Sequence, residues 1–231
     1  MKKFVIGDIV SRAWDLAVKH WPIFVLLSFI TSMCSGMGMN YDESVLTNLG
    51  QNPDPQVVMR AVSDSMQFSP WIILGVLLSL YLGFITYRML YSAATTGKPY
   101  ENFVDALKVD INQFAIFFCA ELVMGLAVGL GTLLCILPGI FLAVRLFFVP
   151  LIVAVENVSF GEAFSRSWNM TKGNFWNLLL LGITAIGVAI LGLCACCVGI
   201  FFADVMINFM AVVAYLILKD NDKVEEWGYV Q

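Results

Sequence analysis

Charge is what this sequence has least of. Asp, Glu, Lys and Arg make up 13% of its 231 residues while hydrophobic types make up 60%, whereas soluble domains carry roughly 25% charge. An ordinary soluble domain is thereby excluded and an integral membrane protein indicated. The net charge of -4 excludes binding to nucleic acid through phosphate electrostatics. Histidine occurs once, as His20 beside Trp21, where an interfacial place fits better than catalysis. The chain has no Gly-rich phosphate loop, no nucleophile elbow and no metal-spaced set of His and Glu, so no metal or cofactor is expected and nothing supports an enzyme. A removable leader is not expected either: Met1-Lys2-Lys3-Phe4 is positive, but Asp8 and Arg12 interrupt the residues after it and no small-residue cleavage site appears. The first apolar run should therefore remain as an anchor.

What is abundant is long apolar sequence. Residues 21 to 39 carry no charge and, at 1.5 Å per residue, span about 28 Å, close to the roughly 30 Å hydrocarbon core. A polar, acidic stretch from 40 to 69 reads as the one sizeable external loop, with a helix-like piece at 57–66. A second span covers about 71 to 91. Residues 111 to 155 hold two charges, Glu121 and Arg145, so they must cross twice, at about 113–136 and 139–156, with Pro138-Gly139 as the breaking turn. Residues 173 to 218 hold one charge, Asp204, giving spans at about 175–197 and 200–218. Cys34, Cys119, Cys135, Cys194, Cys196 and Cys197 lie in or beside these runs and read as soft packing residues; the 194–197 cluster lacks the paired spacing of a zinc site, though an outer-face disulfide is an alternative.

Two internal repeats organise the spans. Gly7-Asp8-Ile9-Val10-Ser11-Arg12-Ala13-Trp14-Asp15-Leu16 returns without gaps as Gly161-Glu162-Ala163-Phe164-Ser165-Arg166-Ser167-Trp168-Asn169-Met170, and 139–143 aligns with 199–203. A weaker third surface segment lies at 100–112. The expected fold is thus all-α, a single membrane domain of about six transmembrane helices in three units, 1–97, 98–156 and 157–231, each an amphipathic interfacial helix followed by two spans. All three surface helices then share one face with eleven of the 13 basic residues, which makes that face, and both termini, cytoplasmic by the positive-inside rule. The Asn-x-Ser/Thr matches at Asn157 and Asn169 fall on the same side, so glycosylation is not expected.

Within the first surface segment Asp8, Arg12, Asp15 and Lys19 share a helical face and can pair as Asp8 with Arg12 and Asp15 with Lys19. Ser159 and Glu162 suggest a capping box for the later copy, with Glu162 pairing to Arg166. Arg12, Trp14, Arg166, Trp168 and Lys172 are the candidates for contact with anionic lipid headgroups or with a membrane or cytoplasmic protein partner; mixed charges at this spacing also suit a plain interfacial anchor. Glu121, Arg145 and Asp204 are the intramembrane charges, each costing roughly 2.5–3.5 kcal/mol at a helix centre. Counted along straight helices, Glu121 and Arg145 fall at similar depths, so a buried pair between them is expected, with an ion relay as the functional alternative. Gly125 and Gly129 form a G-x-x-x-G suited to close helix packing.

Leu137-Pro138-Gly139-Ile140, Arg145, Phe148, Pro150, Glu156-Asn157, Arg166-Ser167-Trp168 and Gly173-Asn174-Phe175-Trp176 together resemble a group of uncharacterised bacterial six-span membrane proteins similar to the membrane domain attached to some glycerophosphoryl diester phosphodiesterases. The resemblance implies a fold and an association with the bacterial cytoplasmic membrane and its lipids. Because the chain ends 13 residues after Leu218, the catalytic domain of the two-domain relatives is not expected, nor is their activity. The sequence is therefore expected to encode a non-enzymatic membrane scaffold or a lipid- or partner-binding module; a small solute or ion transporter using the intramembrane charges is the alternative.

Overall fold

The computed structural model describes residues 5–36, 39–41, 66–68, 71–98 and 110–228, with 39–41, 66–68, 196–198 and 221–228 described through their backbone. Most of the expected loop and the weakest surface segment, 100–109, lie outside the described residues. The chain divides into two compact units, 1–28 with 83–231, and 29–82. In the smaller unit, β1 (Met39–Tyr41) and β2 (Met66–Phe68) pair antiparallel with Met39 opposite Phe68.

Helices make up nearly everything else: α1 (Ile6–Ser35), α2 (Trp71–Thr96), α3 (Ile111–Leu134), α4 (Ile136–Leu146), α5 (Val149–Glu156), α6 (Phe160–Met170), α7 (Phe175–Cys194) and α8 (Cys196–Gly228). Among the described residues, six helical stretches are long and apolar enough to cross a membrane, with α4 and α5 together forming one of them, Ile136–Glu156, and the sixth running from Gly199 to Asp220. Large apolar side chains such as Leu126, Leu133, Ile183 and Ile186 stand exposed on their outer faces, as a bilayer-facing surface requires. Burial follows helical spacing. Ile9, Ala13 and Ala17 are wholly buried at every fourth residue of α1, and Phe84, Ile85, Met89, Leu90 and Ala93 form the buried side of α2.

Three local expectations give way. The twin segments do not fold alike: 161–170 forms the separate helix α6, but 7–16 runs on into its span as part of α1, through Pro22. After α6 the chain has Gly173 in the left-handed region at φ 86°, which ends a helix cheaply; the first copy has Lys19-His20-Trp21 there and no such stop. The first hairpin turns at Cys135, extended at φ -170° and ψ 145°, rather than at Pro138-Gly139. Pro138 sits in the opening turn of α4, where its missing N–H costs little.

Gly139 serves close approach instead. A Cβ there would overlap the Thr132 side chain and lie 2.8 Å from its backbone nitrogen. Gly199 plays the same part in the α7–α8 hairpin, where a Cβ would lie 2.5 Å from the Gly192 carbonyl oxygen. Each is the fourth residue of its helix, which accounts for the second repeat. Gly125 and Gly129, by contrast, have open space where a Cβ would stand, so their motif makes no close helix packing among the described residues.

Candidate functional site

The site grows from the break between α4 and α5. Pro150 cannot donate to the carbonyl of Leu146 and its ring crowds that turn, so the helix breaks at Phe147-Phe148 and restarts at Val149. Helix α6 packs against both halves of the broken stretch. Ala163, Ser167 and Met170 form the buried stripe of α6, and Ser167 Oγ donates to the Arg145 carbonyl oxygen at 2.8 Å, satisfying an acceptor freed near the end of α4.

Arg145 then closes the C-terminal end of α6. Its Nη1 points at the Trp168 carbonyl and the Thr171 hydroxyl, both at a long 3.5 Å, and its guanidinium carbon lies over the rings of Phe141 at 5.1 Å and Trp168 at 5.2 Å. A cation is favoured at a helix C-terminus by the carbonyl groups exposed there, and the aromatic faces add attraction. The expected pair with Glu121 does not form: among the described residues no ion pair reaches either side chain. Depth along a straight helix places them together, but the break and the unpaired carbonyls of α6 draw Arg145 the other way.

Just before the start of α6 lies Glu156, which the sequence reading names for the family resemblance but gives no role. Its carboxylate accepts from the Tyr215 hydroxyl at 2.5 Å and forms ion pairs with Arg166 and Lys219. Glu156 is 11% exposed and Arg166 46%, so the pair bridges a sheltered carboxylate to an accessible cation. Arg166 also binds Glu162 at 2.6 Å, one turn before it, as the spacing predicts. Burial works against the charge of Arg166, but the hydrogen bond and field of Glu156, then those of Glu162, hold its pKa above the ordinary arginine value. Ser159 caps α6 without a side-chain hydrogen bond; Glu162, expected to reach back to it, is engaged by Arg166. Lys219 sits over Tyr91 and Tyr215. A carboxylate ending an apolar run and followed by an asparagine was the available signal in the sequence; Asn157 takes a left-handed φ of 49° there.

Trp168 remains 40% exposed, and Lys172 lies exposed just beyond α6. Asp204 is held apart from these groups: Ser28 Oγ donates to its Oδ2 at 2.6 Å, and Asn208 Nδ2 donates to its Oδ1 at 3.2 Å and to its backbone oxygen at 2.9 Å. Tyr87 lies within electrostatic range of both Glu121 and Asp204. In α1, Trp14 and Arg12 are exposed, and neither expected pair, Asp8 with Arg12 or Asp15 with Lys19, forms among the described residues. Arg12 and Asp15 line a separate cleft of about 600 Å³. Cys34, Cys119, Cys135 and Cys194 are free thiols, and no group of His, Cys, Asp and Glu among the described residues has the geometry to hold a metal.

A family described as a domain of unknown function (DUF7847) matches residues 71–219, the stretch that contains α2 through the membrane-length part of α8 and both clamps of α6. No curated protein and no solved structure matches the chain.

Proposed function

The chain belongs to the DUF7847 family, and from the geometry of its own residues we propose that it is a non-enzymatic, multi-pass module of a bacterial cytoplasmic membrane that binds lipid, or a partner at the lipid surface, through α6. The observation that carries this reading is the double clamp: Glu156, which precedes the helix, grips it through Arg166, and Arg145 grips its last turn at Trp168. Gripped through Arg166 and Trp168, the helix keeps these two side chains in place on either flank of its buried stripe at no further ordering cost, and with Lys172 just beyond its end that residue set suits the headgroup level of a bilayer.

The termini and α6 belong on the cytoplasmic side in this reading, supported by the crowding of Lys and Arg at that end of the spans. The surface segments act as repeated interfacial anchors, the first fused to its span and the third detached from it. Resemblance to membrane domains of phosphodiesterases acting on glycerophosphoryl diesters supports an association with envelope lipids. A second reading, a small transporter, draws on Asp204 with Ser28 and Asn208 and on Glu121 beyond Tyr87, polar groups at membrane depth that ordinarily mark ion paths.

Purification in native-lipid particles followed by mass spectrometry tests the choice. Reproducible copurification of a lipid or protein, lost on changing Trp168 and Arg166, supports the module; solute flux in proteoliposomes without such a ligand supports the transporter.

A further inference from the structure

A groove of about 460 Å³ lies between α4, α7 and α8, and the described residues that line it are all apolar. Leu178, Leu181 and Met210 form its buried floor, while Ile140, Phe147 and Ile186 stand exposed along its rim. Its volume is that of an ordinary ligand site, and all three helices belong to membrane-length stretches. Gly182 adds no side chain to it, and a Cβ there would meet nothing within 4 Å among the described residues. Two cations adjoin the groove along the chain. Arg145 follows the lining residue Val144, and Lys172 comes just before α7, whose first turn supplies Leu178. Phe141, the ring beneath Arg145, packs against Phe175 at 5.5 Å, which ties the Arg145 side of α4 to the start of α7.

Arg166 holds the carboxylates of Glu156 and Glu162, whereas among the described residues neither Arg145 nor Lys172 has an ion pair. Arg145 Nη1 reaches its two acceptors only at 3.5 Å, and its Nε is buried with no hydrogen-bond partner. A sheltered guanidinium whose donors are so poorly used calls for a further acceptor, and a phosphate matches its planar fork. We propose, resting on the lipid-binding reading of α6, that the ligand is a phospholipid of net negative charge, its phosphate held by Arg145 and Lys172 and one of its acyl chains seated in the groove between α4, α7 and α8. A net negative headgroup answers both cations at once, where a zwitterionic one would bring its own ammonium against them. The exposed rim admits a chain from the bilayer, and the buried floor gives it a surface to pack on. Trp168, exposed beside Arg145, stands where the headgroup meets the chains, a level that indole rings favour.

The test uses the full chain in nanodiscs of equal parts phosphatidylglycerol and phosphatidylcholine with matched acyl chains, and native mass spectrometry of the lipids retained after stepwise delipidation. The wild-type chain is expected to retain phosphatidylglycerol in preference to phosphatidylcholine. Arg145→Gln should abolish the preference, but it also loosens α6, so two other variants decide. Lys172→Gln, at an exposed site, should lower the preference about fivefold, the equivalent of about 1 kcal/mol for one basic group at an anionic surface. Gly182→Leu puts a side chain into the groove and should lose most of the retained lipid. Its melting temperature should stay level or rise, because the added atoms meet open space and leucine is the better helix former. Equal retention of the two lipids by the wild type, retention untouched by Gly182→Leu, or a dimer of the chain in place of retained lipid would overturn the proposal. If Gly182→Leu changes nothing while Trp168→Ala with Arg166→Gln releases the lipid, the groove fails and the α6 reading stands; if the wild type retains no lipid, both fail.

Discussion

The guanidinium of Arg145 lies over the indole of Trp168 at 5.2 Å while its Nη1 faces the carbonyl oxygen of the same residue at 3.5 Å. One side chain thus holds both the ring and the backbone of the last turn of α6. Arg145 is therefore a positioning residue for α6, and its loss should be felt along that helix first.

Arg145→Ala should loosen α6 and lower stability by about 1–3 kcal/mol, the sum of a charge-assisted hydrogen bond and cation–π contacts. Amide hydrogen exchange should rise across 160–171 and little elsewhere. Adding Glu121→Gln to the same chain should restore nothing; recovery of stability in that double variant would mean that Arg145 pairs with Glu121 after all.

Glu156→Gln should be worse tolerated than any single change among its partners. It removes the negative charge that Arg166 and Lys219 share and turns one of the two acceptor oxygens facing them and the Tyr215 hydroxyl into an N–H donor, at a cost of about 1.5–3 kcal/mol because both cations keep contact with solvent. Tyr215→Phe removes a single hydrogen bond and should cost about 1 kcal/mol. Thermal unfolding in nanodiscs reads both, and a double cycle of Glu156→Gln with Arg166→Gln should show coupling. Independent, additive effects would contradict a shared carboxylate.

The glycines divide sharply. Gly139→Ala and Gly199→Ala drive a methyl group into the backbone of the facing helix and should each cost about 1–3 kcal/mol. Gly125→Ala and Gly129→Ala meet nothing among the described residues and should be neutral or slightly stabilising through helix propensity. Melting temperatures of the four variants give the ordering, and a destabilised Gly125→Ala would point to a packing partner outside the chain.

The membrane-length helices are legible in the sequence because apolar length is a one-dimensional property. The expected spans at 71–91, 139–156 and 200–218 fall within the membrane-length stretches of the structure, while those at 21–39, 113–136 and 175–197 overrun Ser35, Leu134 and Cys194 by four, two and three residues. The pairing of charges is not legible in the same way. Counting along a straight helix sets Arg145 beside Glu121, yet Pro150 five residues later signals a break that redirects it. Glu156 is hard to see in the sequence because its partners, Arg166, Tyr215 and Lys219, lie 10 to 63 positions away, and a lone carboxylate ending an apolar run looks like an ordinary boundary. The repeat at 7–16 and 161–170 misleads in a different respect, since similar anchors can end differently when only one is followed by a glycine.

The most direct measurement is the set of lipids and proteins retained by the full chain in native-lipid particles, compared with a chain carrying Arg166→Gln and Trp168→Ala. The account predicts a reproducible ligand on the wild-type chain and its loss from the variant, with the spans still folded. The same retained molecules on both chains, or none on either alongside solute flux that depends on Asp204, would contradict it.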